Sequence, residues 1–276
     1  AKFCDPIKRE ASVHFEGASG DVKIEKYMNS NSEGTGIQSP EEGAHFIVMK
    51  EEYVFSYGSI EKAYAHKEEL LSSEYDYLIT NKEGVATSKK LTAGTYLMKQ
   101  IKGAVDTVVH NEILKFDVVE ANQETKVFTL TNLKYASKLE VIKVDESGNK
   151  ISASKMKFKI KDEKGVFVER KIGQQIVNEW ETGKDGTIIL PFKLDAGKYF
   201  LVETKAPNGF VLNKEEIPFV ISNAEDVKYD EDGNTFVSII VKNEKAKGKI
   251  IIQKDFENPD RLIGDGVIFA LYANET

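Results

Sequence analysis

Three lysines recur at the ends of short alternating stretches. "GDVKIEK" (20–26), "SKLEVIK" (137–143) and "GKIIIQK" (248–254) finish on Lys26, Lys143 and Lys254. Side chains of a strand alternate between its two faces. Lys26 therefore shares a face with Val22 and Ile24, Lys143 with Leu139 and Val141, and Lys254 with Ile250 and Ile252. The apolar face is the core face, so each lysine points inward. Two asparagines repeat in the same way. Asn132 is in phase with Leu130 and Phe128 in "VFTLTNLK" (127–134), and Asn243 with Val241 and Ile239 in "SIIVKNEK" (238–245). Each precedes the next lysine by 11 residues, 132 to 143 and 243 to 254. Glu203 adds an inward carboxylate, in phase with Tyr199 and Leu201 within "LDAGKYFLVETKAPNGFVLN" (194–213).

Burying an ammonium or a carboxylate costs several kcal/mol unless the charges pair or neutralise. For any one of these residues, an ion pair at a strand end or a lysine reaching back to water is a sufficient account. Repetition in register points instead to chemistry. Desolvation lowers a lysine pKa and raises a glutamate pKa, and a neutral lysine amine is a nucleophile. A protonated Glu203 hydrogen-bonded to the Asn243 carbonyl would make its carbon more electrophilic, then pass a proton from the amine to departing ammonia. The product is an amide between Lys143 and Asn243, formed once and without turnover, driven by the proximity that folding imposes. In the first repeat Lys26 and Asn132 match, but Gln100 stands at the acid position. Glutamine donates a hydrogen bond yet cannot carry a proton between groups. Either another acid substitutes, and none is legible, or Lys26, Asn132 and Gln100 form a hydrogen-bonded cluster. Lys254 has no partner asparagine after it.

The elements that position these groups are strands. Short runs rich in Val, Ile, Phe, Tyr and Thr alternate with turn clusters such as "DESGN" (145–149), "KDG" (184–186) and "DEDGN" (230–234). "LTAGTYLMKQ" (91–100) aligns with "LDAGKYFLVE" (194–203), and the spacing from lysine to a core phenylalanine is 15 in the later copies, 143 to 158 and 254 to 269. The chain reads as a tandem array of β domains: the first over 20–137, the second over 138–247, and the start of a third over 248–276, far short of a full repeat, so that the array is expected to continue. Residues 1–19 are a leader or a remnant strand of a preceding domain, with "SVHFE" (12–16) as the candidate strand. One helical insertion interrupts the first domain, "SIEKAYAHKEELLSS" (59–73), with Ser59 as its cap and Ile60, Ala63, Leu70 and Leu71 as its buried stripe.

Composition narrows the function. The 276 residues carry 30% charged side chains of both signs and a net charge of −7, which leaves no basic patch for nucleic acid. The single cysteine, Cys4, excludes an internal disulfide framework and any multi-cysteine zinc site, and His14, His45, His66 and His110 show no ligand spacing, so neither metal nor cofactor is expected. No apolar run is long enough to span a bilayer. No signal peptide opens the chain, which fits an intracellular, processed or excised segment. No paired acids, triad or phosphate loop suggests a turnover enzyme. "DEDGN" lacks the downstream glutamate of a calcium loop and reads as a hairpin turn.

Taken together, "LEVIKVDESGNKI", "LDAGKYFLVETKAPNGFVLN" and "VSIIVKNEK" resemble the first strand, the glutamate box and the last strand of the collagen-adhesin B-type (CnaB-like, SpaA-type) domains of Gram-positive surface adhesins and pilins. The resemblance covers both full repeats and the start of the third. It implies mostly-β, reverse-Ig-like sandwiches, with Lys143 as nucleophile, Asn243 as acceptor and Glu203 as catalytic acid of a spontaneous isopeptide bond. It also implies an extracellular, cell-wall location and a stalk or shaft role in an adhesin or minor pilin. The partners would be neighbouring domains or pilus subunits, and a host matrix or cell-surface ligand. The alternative is a ligand-binding module built on the aromatic-rich insertion 51–80, with Tyr53, Phe55, Tyr57, Tyr64, Tyr75 and Tyr77; the plainer account is that these rings pack the insertion onto the sandwich.

Overall fold

The computed structural model describes residues 19–119, 125–152, 155–224, 228–252 and 268–271. Cys4, the candidate strand 12–16, Lys254 and most of the third repeat lie outside the described residues.

Both full repeats fold as two sheets packed face to face. In the second, one sheet has the order Thr187–Asp195, Ala136–Val144, Thr235–Lys242, Lys228–Tyr229, and the other Trp180–Glu181, Lys157–Asp162, Gly197–Lys205, Ile217–Ile221. The alternation of Leu139 and Val141 on one sheet with Phe158, Ile160 and Leu201 on the other fills a continuous core. The first repeat matches this plan. Ile113–Val118, Gly94–Lys102, His45–Lys50 and Tyr75–Ile79 form one sheet, facing Gln38–Pro40, Val22–Asn29, Lys126–Lys134 and Thr107–Val108, with Val85–Thr87 also paired to Val22–Asn29. In each repeat the opening and closing strands lie side by side and run parallel. That pairing brings the two ends of a repeat together although about a hundred residues separate them.

Turn chemistry fixes the hairpins. At 145–149 the Asp145 carboxylate accepts from the amides of Ser147 and Asn149, while Gly148 takes φ 86°, a left-handed conformation that glycine adopts without strain. "DEDGN" repeats the device with Asp230 and Gly233, and joins Lys228–Tyr229 to Thr235–Lys242 as an antiparallel hairpin.

The helical insertion differs from the expectation of one helix over 59–73. Two short helices, Glu51–Tyr57 and Ile60–Ala65, are separated by Gly58 at φ 85°, and two 3-10 turns follow, Lys67–Glu69 and Ser72–Glu74. Ser59 caps the second helix by accepting from the Lys62 amide. Ile60 and Ala63 are buried and Leu70 packs against them, but Leu71 is 65% exposed. Helices this short are marginal alone; these hold by packing on Ile47 and Met49 of the sheet. Tyr53, Tyr57, Tyr64, Tyr75 and Tyr77 pack against the same cluster, and only Phe55 of the insertion's aromatics points out, at 76% exposure. The five tyrosines pack the insertion onto the sandwich, as the plainer account has it, and Phe55 does not.

A single residue, Tyr135, separates the closing strand of the first repeat from the opening strand of the second. Asp106, at φ 65°, accepts from Ser222 Oγ at 2.6 Å and from the Asn223 amide at 3.2 Å, and its own amide donates to Asn223 Oδ1 at 2.9 Å. Asn223 Nδ2 donates to the Thr107 carbonyl, and Ser32 donates to Asp195. Asp106→Ala removes the acceptor and a side chain that tolerates left-handed backbone. We expect it to cost about 1–3 kcal/mol of docking and to give the two repeats different alignment tensors in residual dipolar couplings, whereas the native chain shows one.

Candidate functional site

In the second repeat the parallel register sets Lys143 opposite Val241, so that Asn243 lies two residues beyond it on the adjacent strand. Both side chains enter the core, with the lysine 0% and the asparagine 3% exposed. They are in direct contact. Glu203 reaches them from the facing sheet, out of a strand whose alternation buries Leu201 and Glu203 on one side. Its Oε1 accepts from Asn243 Nδ2 at 3.0 Å and from Lys143 Nζ at 3.3 Å. Its Oε2 accepts from Asn243 Nδ2 at 2.9 Å and from the Asn213 amide at 2.7 Å. One carboxylate thus bridges the amine and the amide, and a backbone amide holds it in place.

One detail departs from the sequence reading, which put Glu203 on the asparagine carbonyl. Both carboxylate oxygens accept from the amide nitrogen instead. Asn243 Nδ2 also donates to the Val211 carbonyl at 2.7 Å, while Oδ1 has no hydrogen-bond partner in the protein. The carboxylate therefore touches the amide nitrogen of Asn243 and leaves its carbonyl oxygen free. Burial pushes the Lys143 amine below its ordinary pKa, against the opposing pull of Glu203.

The first repeat holds a second constellation. Lys26 stands opposite Leu130, and Asn132 again lies two residues beyond. Both are buried. The hydrogen-bonded Lys26–Asn132–Gln100 cluster does not form. Gln100 occupies the position of Glu203, each standing opposite a core phenylalanine, Phe46 and Phe158. Its amide is engaged elsewhere, donating to the Lys102 carbonyl and accepting from the His110 amide. The carboxylate against Lys26 and Asn132 belongs to Glu41, in the "PEEG" turn that follows Gln38–Pro40. Strand alternation could not reveal it, because a turn residue has no phase. Burial lowers the Lys26 amine to about 8, with Glu41 opposing.

Among the described residues no group of three or more His, Cys, Asp or Glu is placed to hold a metal ion, and no helix is long and apolar enough to cross a membrane.

Two facing sheets with parallel terminal strands and a buried Lys–Asn–Glu set define a CnaB-like, SpaA-type domain. Residues 137–235, which span most of the second repeat, match the family described as SpaA, prealbumin-like fold domain. The chain is 26% identical to the Bacillus anthracis TIE protein, with a TM-score of 0.54 over 83% of this chain, and spans 34% of that protein's length. It also aligns with GBS52, the minor pilin of Streptococcus agalactiae, at 16% identity and a TM-score of 0.35, over 86% of this chain and 100% of that one. No curated protein is similar to it in sequence.

Proposed function

We propose that this chain is a stalk segment of a Gram-positive cell-wall adhesin or minor pilin, made of sandwich domains over 20–137 and 138–247 with a third beginning at 248, and that Lys143 and Asn243 join in an intramolecular isopeptide bond assisted by Glu203. The observation that carries the reading is the buried contact of Lys143 with Asn243 under the Glu203 carboxylate. A proton passes from Nζ to the carboxylate. The neutral amine attacks the Asn243 carbon, the Nζ–Cγ bond forms, and the Cγ–Nδ2 bond breaks. Glu203 delivers that proton to Nδ2 and then passes on the second proton that Nζ sheds as it becomes an amide, so the nitrogen departs as ammonium. Glu203 is left as it began, and the chemistry ends after one event. The domain acts on itself and turns over no substrate.

Such a bond serves an extracellular stalk. An amide is not reducible, so it suits a chain with one cysteine. Its partners are neighbouring domains or subunits of the same surface protein, which present a binding head away from the cell wall.

The test is a peptide map of the denatured chain by mass spectrometry. A Lys143–Asn243 branched peptide, lighter by about 17 Da for the expelled ammonia, is the expected result. Linear peptides alone over both residues overturn the reading.

A further inference from the structure

We propose that the first repeat carries a second isopeptide site, Lys26–Asn132, whose acid is Glu41 on a different segment from the acid of the second repeat. The proposal rests on the lysine–asparagine chemistry above and extends it to a residue that the glutamate box does not contain.

The three side chains are at most 1% exposed. Glu41 Oε1 accepts from Asn132 Nδ2 at 3.0 Å, and Oε2 lies 3.4 Å from Lys26 Nζ. The Ala104 amide donates to Oε1 at 2.8 Å, the role that the Asn213 amide has on Glu203. Thr107 Oγ1 stands 3.4 Å from the same oxygen. Asn132 Oδ1 has no hydrogen-bond partner in the protein, like Asn243 Oδ1. The two sites therefore bring together the same three groups, a lysine amine, an asparagine amide and a carboxylate held by a backbone amide. They differ in that Lys26 Nζ also donates to the Tyr27 carbonyl at 3.3 Å while Asn243 Nδ2 also donates to the Val211 carbonyl.

Backbone equivalences show how the acid moved. The Lys26 amide donates to the Gly84 carbonyl and the Lys143 amide to the Gly186 carbonyl. The Lys26 carbonyl accepts from the Glu41 amide and the Lys143 carbonyl from the Ile151 amide. Glu41 and Ile151 thus occupy one position, and Gln100 and Glu203 another. Each repeat has one acid and one residue unable to carry a proton, in opposite places. Because its amide is tied to the lysine's own carbonyl, Glu41 is positioned from the lysine strand, whereas Glu203 comes from the facing sheet. Gly103 leaves room for this arrangement: a Cβ there would sit 2.6 Å from Thr107 Oγ1 and 3.0 Å from Asn132 Nδ2.

The step balances as in the second repeat. The Lys26 Nζ–Asn132 Cγ bond forms, the Cγ–Nδ2 bond breaks, and Glu41 relays in turn the two protons that the lysine ammonium loses to the nitrogen, which leaves as ammonium.

Peptide mapping of the full chain tests it, since each bond gives its own branched peptide. The native chain is expected to yield both Lys26–Asn132 and Lys143–Asn243 branches. Glu41→Gln, similar in size, is expected to lose the first branch and keep the second. Gln100→Leu is expected to keep both. A native map with the Lys143–Asn243 branch alone overturns this proposal and leaves the stalk reading intact, and it does so whether or not any variant folds. A Lys26–Asn132 branch that survives Glu41→Gln, or is lost in Gln100→Leu, also overturns it.

Discussion

Glu203→Ala is expected to lose the Lys143–Asn243 branch, to retain the ammonia, and to melt far below the native chain. The mass change follows from proton transfer: without a carboxylate nothing carries the proton from Nζ to Nδ2. The stability change follows from loop closure. The bond closes a loop from residue 143 to residue 243, and by analogy with a disulfide such a crosslink stabilises by about 4–5 kcal/mol. For a domain of this size that corresponds to a drop of about 20 °C in the second repeat's Tm. The substitution also strands the buried Lys143 ammonium, a further loss of about 3–5 kcal/mol. Glu203→Gln separates the two effects, because it removes the proton carrier but keeps a polar group beside the amine. It should lose the bond equally and fall less in Tm. Calorimetry and the intact mass read both, and an Ala variant that still forms the branch would remove Glu203 from the mechanism.

How far the sequence reached depends on which residues sit in regular strands. Lys143, Asn243, Lys26 and Asn132 could be placed on the core face because a period of two leaves no choice once Val141 or Leu130 is inside. Glu203 followed from the same count. Residues outside strands escaped. Glu41 lies in a turn, and its entry into the core depends on a backbone hydrogen bond to Lys26 that no pattern announces. The helix at 51–57 was hidden for a related reason: "EEYVFSY" has the β-branched and aromatic content of a strand, and packing on Ile47 and Met49 overrides that preference. The contacts between repeats, Asp106 with Ser222 and Asn223, join loop residues far apart in sequence that carry no apolar signal at all.

Pulling on the chain is expected to leave the second repeat without an unfolding step. Its opening and closing strands run parallel over seven paired positions, Lys138 opposite Phe236 through Val144 opposite Lys242. Tension between the repeat's ends therefore shears this ladder. With the bond in place, load enters along the opening strand, crosses from Lys143 to Asn243 near the far end of the ladder, and leaves along the chain beyond. Residues 144–242 carry no tension, however high the force, until a covalent bond fails. In Glu203→Ala the ladder is held by hydrogen bonds alone. Its rupture releases the 100 residues from 143 to 243, which at about 3.3–3.6 Å per residue lengthen the chain by about 330–360 Å. Single-molecule force spectroscopy distinguishes the two states directly. A step of that length in the native chain would mean that the strands are not covalently joined, and its absence in Glu203→Ala that the bond forms without its acid.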